Sequence, residues 1–266
     1  MFLGGGRITG ALVAGLRSAK YAAPIVVYDR HPQKLRQLKK VYGVSTERDL
    51  HRAVEQARIL VIAVRPASVG ALLREIAHIE RPLTAVSLAA GVPLADLRAE
   101  LVAPVRWVRA MPSPACRSGR GLTALVFDSG LSSVAKREVR TLFAKVGPIL
   151  EIPERKFDAF TVTYSCSHGY HALATLAGEA QKLGLDRKTA LTAAAHALAD
   201  GIVAWREGSS SLEALLSEAA TPGGIAAATQ KAVRRAGYPR AVAAGLAAGM
   251  KQARKNAKAR LAKPGR

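Results

Sequence analysis

The chain has 266 residues, 49% hydrophobic and 22% charged, which is enough apolar material for a sizeable core and too much for a disordered chain. Forty Lys and Arg against nineteen Asp and Glu leave a net charge of +21, a surplus that by itself suggests an anionic partner. Eleven of those bases and no acid lie between Ala219 and Arg266, however, and aromatics are only 5%, so a nucleic-acid groove with a base-stacking platform is not expected.

In chain order, the first half alternates β-like runs with helical patterns. Met1 to Leu3 reads as a strand, Thr9 to Ala19 as a helix, Ile25 to Asp29 as a strand and His31 to Gly43 as a helix. Arg58 to Val64 and Leu83 to Ala90 continue the strands, and Ala67 to Ala77 and Pro93 to Leu101 the helices. Apolar strands alternating with helices imply a parallel sheet covered on both faces. Only three residues precede the first glycine, so either the first strand is short or the natural start lies upstream. After a last strand near Pro148 to Ile152 the character changes. Lys156 to Leu183, Arg187 to Arg206, Leu212 to Ala219, Gly224 to Ala236 and Arg240 to Leu261 are rich in Ala and Leu and show no strand pattern. The boundary is expected at 153/154, with an α/β domain over 1–153 and an all-α domain over 154–266.

Cys116 and Cys166 are too few for a disulfide framework or a zinc site, which points to a reduced, cytoplasmic setting. No apolar run reaches the eighteen residues of a membrane span. The opening residues could pass for a weak signal sequence, but no base precedes the apolar part and three glycines interrupt it. The basic end after Met250 reads as the solvated close of a last helix, fraying beyond Pro264.

Gly4-Gly5-Gly6-Arg7-Ile8-Thr9-Gly10 stands between a strand and an amphipathic helix. Such a loop turns tightly at its first glycine and lets a pyrophosphate approach the backbone at its second, where it meets the N–H groups and positive dipole of the helix start. Thr9 occupies the third glycine position, which predicts slightly looser helix–strand contact. About twenty residues on, Asp29 could bind ribose hydroxyls, whereas Arg30, His31 and Lys34 could hold a 2′-phosphate. NADP is favoured over NAD because Arg30 can both stack on adenine and pair with phosphate, and NAD stays open.

The segments FLGGGRITGALVAGL, VIAVRPASV, VSLAAGV, VRAMPSPACRSGRGLTAL, ERKFDAFTVTYSCSHGY and SEAATPGGIAAA follow the order and spacing of the motifs of pyrroline-5-carboxylate reductase. The chain resembles that family over nearly its whole length. The resemblance implies a Rossmann domain followed by an all-helical dimerisation and substrate domain that interlocks with a second subunit, with the active site where the domains meet across the dimer. Gly4, Gly6, Arg7 and Ile8 then fall in the cofactor loop. Val64, Arg65 and Pro66 match its Val-Lys-Pro, and Ala89, Ala90 and Gly91 match the Ala-Gly turn near the nicotinamide. Arg109, Met111 and Pro112 match the start of its Arg-x-Met-Pro-Asn-Thr-Pro segment, which here is one residue short and lacks the asparagine.

The departures fall in the substrate half. Asp158, Ala159 and Thr161 keep the family's Asp-Ala-Val-Thr, but Ser-Gly-Ser-Gly-Pro-Ala-Tyr is replaced by Tyr164, Ser165, Cys166, Ser167, His168, Gly169 and Tyr170. Ser-Pro-Gly-Gly-x-Thr becomes Thr221, Pro222, Gly223, Gly224, Ile225 and Ala226, so the first hydroxyl survives and the last is lost. In the family this loop binds the substrate carboxylate through hydroxyls and backbone N–H groups, which is sound chemistry for an anion at a helix start. Ser165, Cys166 and the 223–226 loop are thus the expected substrate contacts, with Thr221, His168 and Tyr170 as catalytic candidates.

Hydride transfer to a C=N carbon needs positioning more than acid–base help, because a protonated cyclic imine is already electrophilic. An imidazole at His168 could protonate the nitrogen or orient the carboxylate, against the plainer reading of a packing histidine. His168 and His171 could share a metal, but no nearby carboxylate completes a site. Cys166 reads better as a small buried thiol than as a reactive one, and His31, His51, His78 and His196 as surface or satisfied residues. The expected reaction is NAD(P)H-dependent reduction of a cyclic imino acid, best matched by 1-pyrroline-5-carboxylate to L-proline, in a homodimer or a larger assembly. Exposed Ala and Leu on the C-terminal helices argue for a partner independently of the family. The alternatives are an imine reductase with another substrate, a cofactor-binding protein without turnover, and a β-hydroxyacid dehydrogenase, which would need Lys182 as its catalytic lysine.

Overall fold

The computed structural model describes residues 1–76, 79–102 and 104–259. His78 and the basic end beyond Ala259 lie outside the described residues. The chain forms two compact units, residues 1–164 with 249 onward, and residues 165–248. The expected boundary at 153/154 lies within the first of these units, just before the helix Glu154–Thr163.

The first unit is built on an eight-stranded sheet. Its elements are β1 (Phe2–Leu3), α1 (Arg7–Ser18), β2 (Val26–Tyr28), α2 (Pro32–Tyr42), β3 (Ser45–Glu47), α3 (Leu50–Glu55), β4 (Ile59–Ile62), α4 (Pro66–Ile76), β5 (Leu83–Ser87), α5 (Leu94–Glu100), β6 (Val105–Met111), β7 (Thr123–Phe127), α6 (Ser133–Ala144), β8 (Ile149–Glu151) and α7 (Glu154–Thr163). The strand order is β3-β2-β1-β4-β5-β6-β7-β8. The expected parallel sheet holds from β3 to β6, but β7 runs antiparallel to β6, pairing Ala110 with Leu125 and Met111 with Ala124. No helix separates β6 from β7: a short 3-10 turn at Pro114–Ser118 reverses the chain, which permits only an antiparallel return.

Both faces of the sheet are buried, as its apolar strands require. Leu3, Tyr28, Leu60 and Ile62 pack with Leu50, Val69, Leu72 and Leu97 from α3, α4 and α5 on one side. Phe2, Val27, Val61 and Val86 pack with Leu12, Leu16, Leu35 and Phe143 from α1, α2 and α6 on the other. Local chemistry sets the helix ends. Pro32 opens α2 at a position where its missing N–H costs nothing, and Gly43 closes it at φ 59°. Asp49 caps α3 by accepting from Arg52 N at 3.0 Å.

The expected helix from Lys156 to Leu183 is two helices. α7 stops at Tyr164, and Ser165 begins α8 (Cys166–Lys182) by accepting from Ser167 N. The β-branched run Thr161-Val162-Thr163 followed by a capping serine accounts for the break. In the second unit α8 turns through Gly184, at φ 100°, into α9 (Arg187–Glu207), and the pair shares a small core of Ala177, Ala190 and Ala194. Next come α10 (Leu212–Glu218), α11 (Ile225–Arg235) and α12 (Tyr238–Ala259), whose last half, from Gly249, belongs to the first unit. Large side chains stand open on this unit: Leu183, Ile202, Trp205, Leu212, Ile225 and Tyr238. That much exposed apolar surface marks an association surface. No helix among the described residues is long and apolar enough to cross a membrane.

Candidate functional site

The glycine turn begins where β1 ends. Gly4 takes φ 109°, and a Cβ there would lie 2.6 Å from the Ala63 carbonyl oxygen, so only glycine lets the chain pass β4. Gly6 caps α1 without a side-chain hydrogen bond, and the first turn holds no acid. A Cβ on Gly6 would meet nothing within 4 Å. An open, uncapped helix start of this kind fits a pyrophosphate: the N–H donors and the helix dipole are unspent and space lies in front of them. Thr9 does not loosen the packing. It is fully buried and its hydroxyl donates to Gly4 O at 2.5 Å, filling the place a third glycine leaves empty.

The turn after β2 is tied to this loop. Asp29 Oδ2 accepts from Gly5 N at 2.7 Å and from Lys34 Nζ at 3.3 Å, and Oδ1 accepts from His31 N at 2.8 Å and faces His31 Nδ1 at 2.9 Å. Burial pushes the carboxyl up, but the His31 and Gly5 amides, His31 and Lys34 together hold it below its ordinary value. Both oxygens are thus engaged within the protein, and Asp29 is a structural strut of the loop. Arg30 points to solvent and pairs with Glu75 of α4.

Three further strand ends bear on the same edge of the sheet. Arg65 is exposed between half-buried Val64 and Pro66 at the start of α4. Gly91, at φ 73°, lies directly against the backbone of Ala253, and Asn256 Nδ2 donates to Ala90 O at 3.4 Å, so the end of α12 backs the 89–91 turn. At the end of β6, Met111 is half-buried and Pro112 buried. Just before them, Arg109 is 2% exposed, donates to Glu154 Oε1 at 3.0 Å and Asp158 Oδ1 at 2.9 Å, and stacks 4.1 Å from the Phe157 ring centroid. Glu154 Oε1 also accepts from Leu94 N at 2.9 Å, linking α7 to the segment after Gly91.

The other predicted residues lie in the second unit. Ser165 Oγ and Ser167 Oγ are 2.7 Å apart at the start of α8, with Cys166 half-buried rather than buried and His168, Tyr170 and His171 exposed. At α11, Gly224 N donates to Thr221 O at 2.9 Å, Gly223 takes φ 78°, and Gly224 caps the helix without a side-chain bond. Thr221, Gly223, Ile225 and Ala226 are exposed around this second open helix start. Among the described residues no group of three His, Cys, Asp or Glu could hold a metal. His31 and His196 sit against Asp29 and Asp200, and Lys182 pairs with Glu179 on the surface.

Sequence reasoning missed Glu75, the acid partners of Arg109, and Asn256. Each meets its partner across 45 or more residues, and the sequence carries no signal for such pairings.

Comparisons with known proteins bear on the same regions. A family profile described as NADP oxidoreductase coenzyme F420-dependent matches residues 1–91, and one described as pyrroline-5-carboxylate reductase dimerisation matches 154–256. The pyrroline-5-carboxylate reductase of Mycobacterium tuberculosis is 30% identical over 273 residues, covering 92% of each chain. That of Thermus thermophilus is 36% identical over 207 residues, covering 74% of this chain and 76% of the relative. Among solved structures, the Plasmodium falciparum pyrroline carboxylate reductase with NADP bound superposes with a TM-score of 0.87 at 20% identity, covering 96% and 97% of the two chains. The Streptococcus pyogenes enzyme gives 0.88, also at 20% identity and the same coverage.

Proposed function

The chain belongs to the pyrroline-5-carboxylate reductase family and is an NAD(P)-dependent oxidoreductase, and we propose that it reduces 1-pyrroline-5-carboxylate to L-proline with NADPH as preferred reductant. The observation that carries this reading is the pair of open helix starts: Gly6 of α1 for a pyrophosphate and Gly224 of α11 for a carboxylate. Gly4 and Gly6 admit the cofactor backbone, with Arg7 and Ile8 in the first turn of α1. Val64, Arg65 and Pro66 flank it, and Ala90, Gly91, Met111 and Pro112 line the nicotinamide end. Arg30, His31 and Lys34 take the 2′-phosphate, because Asp29 is already bonded on both oxygens and has little to offer a ribose hydroxyl.

The bound reduced nicotinamide supplies a hydride to the C=N carbon, and a proton on the nitrogen completes the amine. The protein's share is to bind and orient. Thr221, Gly223, Gly224, Ile225 and Ala226 hold the carboxylate, Ser165 and Cys166 shape the pocket, and the hydroxyl of Tyr170 or the imidazole of His168 delivers or retains the proton. Cys116 and Cys166, too few for a disulfide framework, fit a reduced, cytoplasmic setting. The working unit is a homodimer or a larger assembly built on it, closed over the apolar helices of the second unit.

The test is NADPH and NADH oxidation by the purified protein with racemic pyrroline-5-carboxylate and with its four- and six-membered ring analogues. Fastest turnover with the five-membered imino acid and NADPH is expected. Tight cofactor binding with faster turnover of another imine would favour a shifted substrate, for which the missing hydroxyl at Ala226 is the reason. Binding without any turnover would overturn the enzyme reading.

A further inference from the structure

Three basic side chains gather at the turn after β2, and two acids face them. Asp29 is fixed: its side chain is 8% exposed, and its oxygens hold the turn together through Gly5, His31 and Lys34. Glu75 is different. It comes from the last turn of α4, 45 residues along the chain, its side chain is 43% exposed, and its Oε2 takes Arg30 Nη2, whose own side chain is 62% exposed. The turn keeps its shape without this second pair, because Asp29 and the backbone carry it. Arg30 is thus a cation held by a releasable counter-charge.

We propose that Glu75 tempers the preference for NADPH over NADH by competing with the 2′-phosphate for the Arg30 guanidinium. The inference rests on reading the Asp29–Lys34 turn as the adenosine end of the cofactor site. A phosphate dianion among Arg30, His31 and Lys34 repels the Glu75 carboxylate and must draw Arg30 away from it. A cofactor with a plain ribose hydroxyl there makes no such demand and leaves the pair intact. Glu75 therefore opposes the phosphorylated cofactor alone, and specificity arises from a repulsive element beside an attractive one. The pair is solvent-exposed, so the effect is about two- to fivefold in affinity and shrinks as salt screens it.

The experiment is fluorescence titration of NADPH and NADH on the full-length wild type, Glu75→Gln, Arg30→Met and the double variant, at low and high salt. Glu75→Gln is expected to lower the Kd for NADPH about two- to fivefold at low salt, to leave that for NADH in place, and to lose its effect at high salt and in the Arg30→Met background. An unchanged or raised Kd for NADPH in Glu75→Gln overturns the competition. Arg30→Met separates this from the underlying reading. If it weakens NADPH and spares NADH, Arg30 meets the phosphate and the Glu75→Gln result judges Glu75 alone. If it moves neither, the phosphate is not at Arg30 and the adenosine reading falls with the proposal.

Discussion

The Tyr164 hydroxyl lies 3.1 Å from Ser113 Oγ and donates to it, so the end of α7 is tied to the turn that follows β6. Ser113 is buried, and its Oγ also accepts from Ala115 N, capping the 3-10 turn behind Pro112. These are two of the points at which the chain leaves its family's pattern, Tyr164 standing for the first serine of one motif and Ser113 following Met-Pro where the other has asparagine. The two departures answer each other through one hydrogen bond. Tyr164→Phe is expected to cost about 1 kcal/mol in urea unfolding, the net worth of a neutral hydrogen bond. A change below about 0.3 kcal/mol would show that the bond contributes nothing to the fold.

Gly4 and Gly6 make opposite predictions although they share one turn. Ala at Gly4 must adopt φ 109° and press its Cβ on the Ala63 carbonyl, so Gly4→Ala should lose about 2 kcal/mol or more in stability. Gly6 has φ −78° and ψ −175°, an extended conformation open to any residue, and its Cβ position is free. Gly6→Ala should therefore melt within about 0.5 kcal/mol of wild type yet bind NADPH at least about tenfold more weakly, because the methyl would stand in the space proposed for the phosphate. Thermal melts and cofactor titration on the two proteins decide it. Equal affinity in Gly6→Ala would remove the pyrophosphate from this turn.

Asp29 links the loop to pH. Its carboxyl is held below the ordinary value in the folded protein, so the folded state keeps it charged to lower pH than the unfolded chain does. The stability it contributes is whole above the ordinary carboxylate range, near pH ~4, and is lost as pH falls through the lower folded value. Asp29→Asn retains one acceptor but not the charge, and should lose about 1–2 kcal/mol at neutral pH. Chemical denaturation of both proteins as a function of pH should show the difference narrowing as pH falls below ~4. A difference that kept growing below pH ~4 would contradict the geometry at Gly5 and His31.

Much of the first unit is written in local pattern. Ile59 to Ile62 is a continuous apolar run because both faces of β4 are covered, and Pro32 and Gly43 bracket α2 by the backbone geometry they impose. Ser45–Glu47 carries no such pattern: it is an edge strand, half open to solvent, held by its pairing with Val26 to Tyr28 rather than by its own apolar content. The reversal at β7 depends on a 3-10 turn, Pro114–Ser118, which with the Gly119 and Gly121 after it looks like any loop. In the candidate site, the residues proposed to meet the cofactor stand out in the sequence because glycine geometry and charge are local properties. The pairings of Glu75, Glu154 and Asp158 do not, since each depends on an arginine that the fold brings to it from 45 or more residues away. The end of α12 was the least legible, as nothing in its alanines distinguishes Ala253, which packs on Gly91, from those facing out.

The helices of the second unit need a partner to cover them. Its internal core is three alanines, while Ile202 is 57% and Trp205 48% exposed on α9 alone. Association and folding of residues 165–248 should therefore be coupled, with a melting temperature that falls on dilution. Ile202→Asp places a charge on that surface and is expected to shift the sedimenting species from dimer toward monomer and to lower the melting temperature. A variant that stays dimeric with an unchanged melt would put Ile202 outside the interface.

The loop before α11 offers the sharpest test of substrate. Thr221 Oγ1 would be 2.8 Å from a Cβ on Gly224, so the hydroxyl lies over the open helix start, while Ala226 in the first turn presents only a methyl. A carboxylate seated there gains the Thr221 hydroxyl, backbone N–H donors and the helix dipole, but one hydroxyl fewer than the family pattern supplies. A hydrogen bond to a charged group is worth about 1.5–3 kcal/mol, roughly ten- to a hundredfold in binding. Thr221→Ala should therefore raise KM for pyrroline-5-carboxylate by at least about tenfold, and Ala226→Thr should lower it by a comparable factor with kcat little changed. Steady-state kinetics on both variants separate two explanations of the missing hydroxyl. If Ala226→Thr tightens the five-membered imino acid, this protein works with a weakened carboxylate site for its family's substrate. If instead it slows turnover while Thr221→Ala is also impaired, the methyl of Ala226 is needed as it stands, and the natural imine presents a bulkier acid to α11.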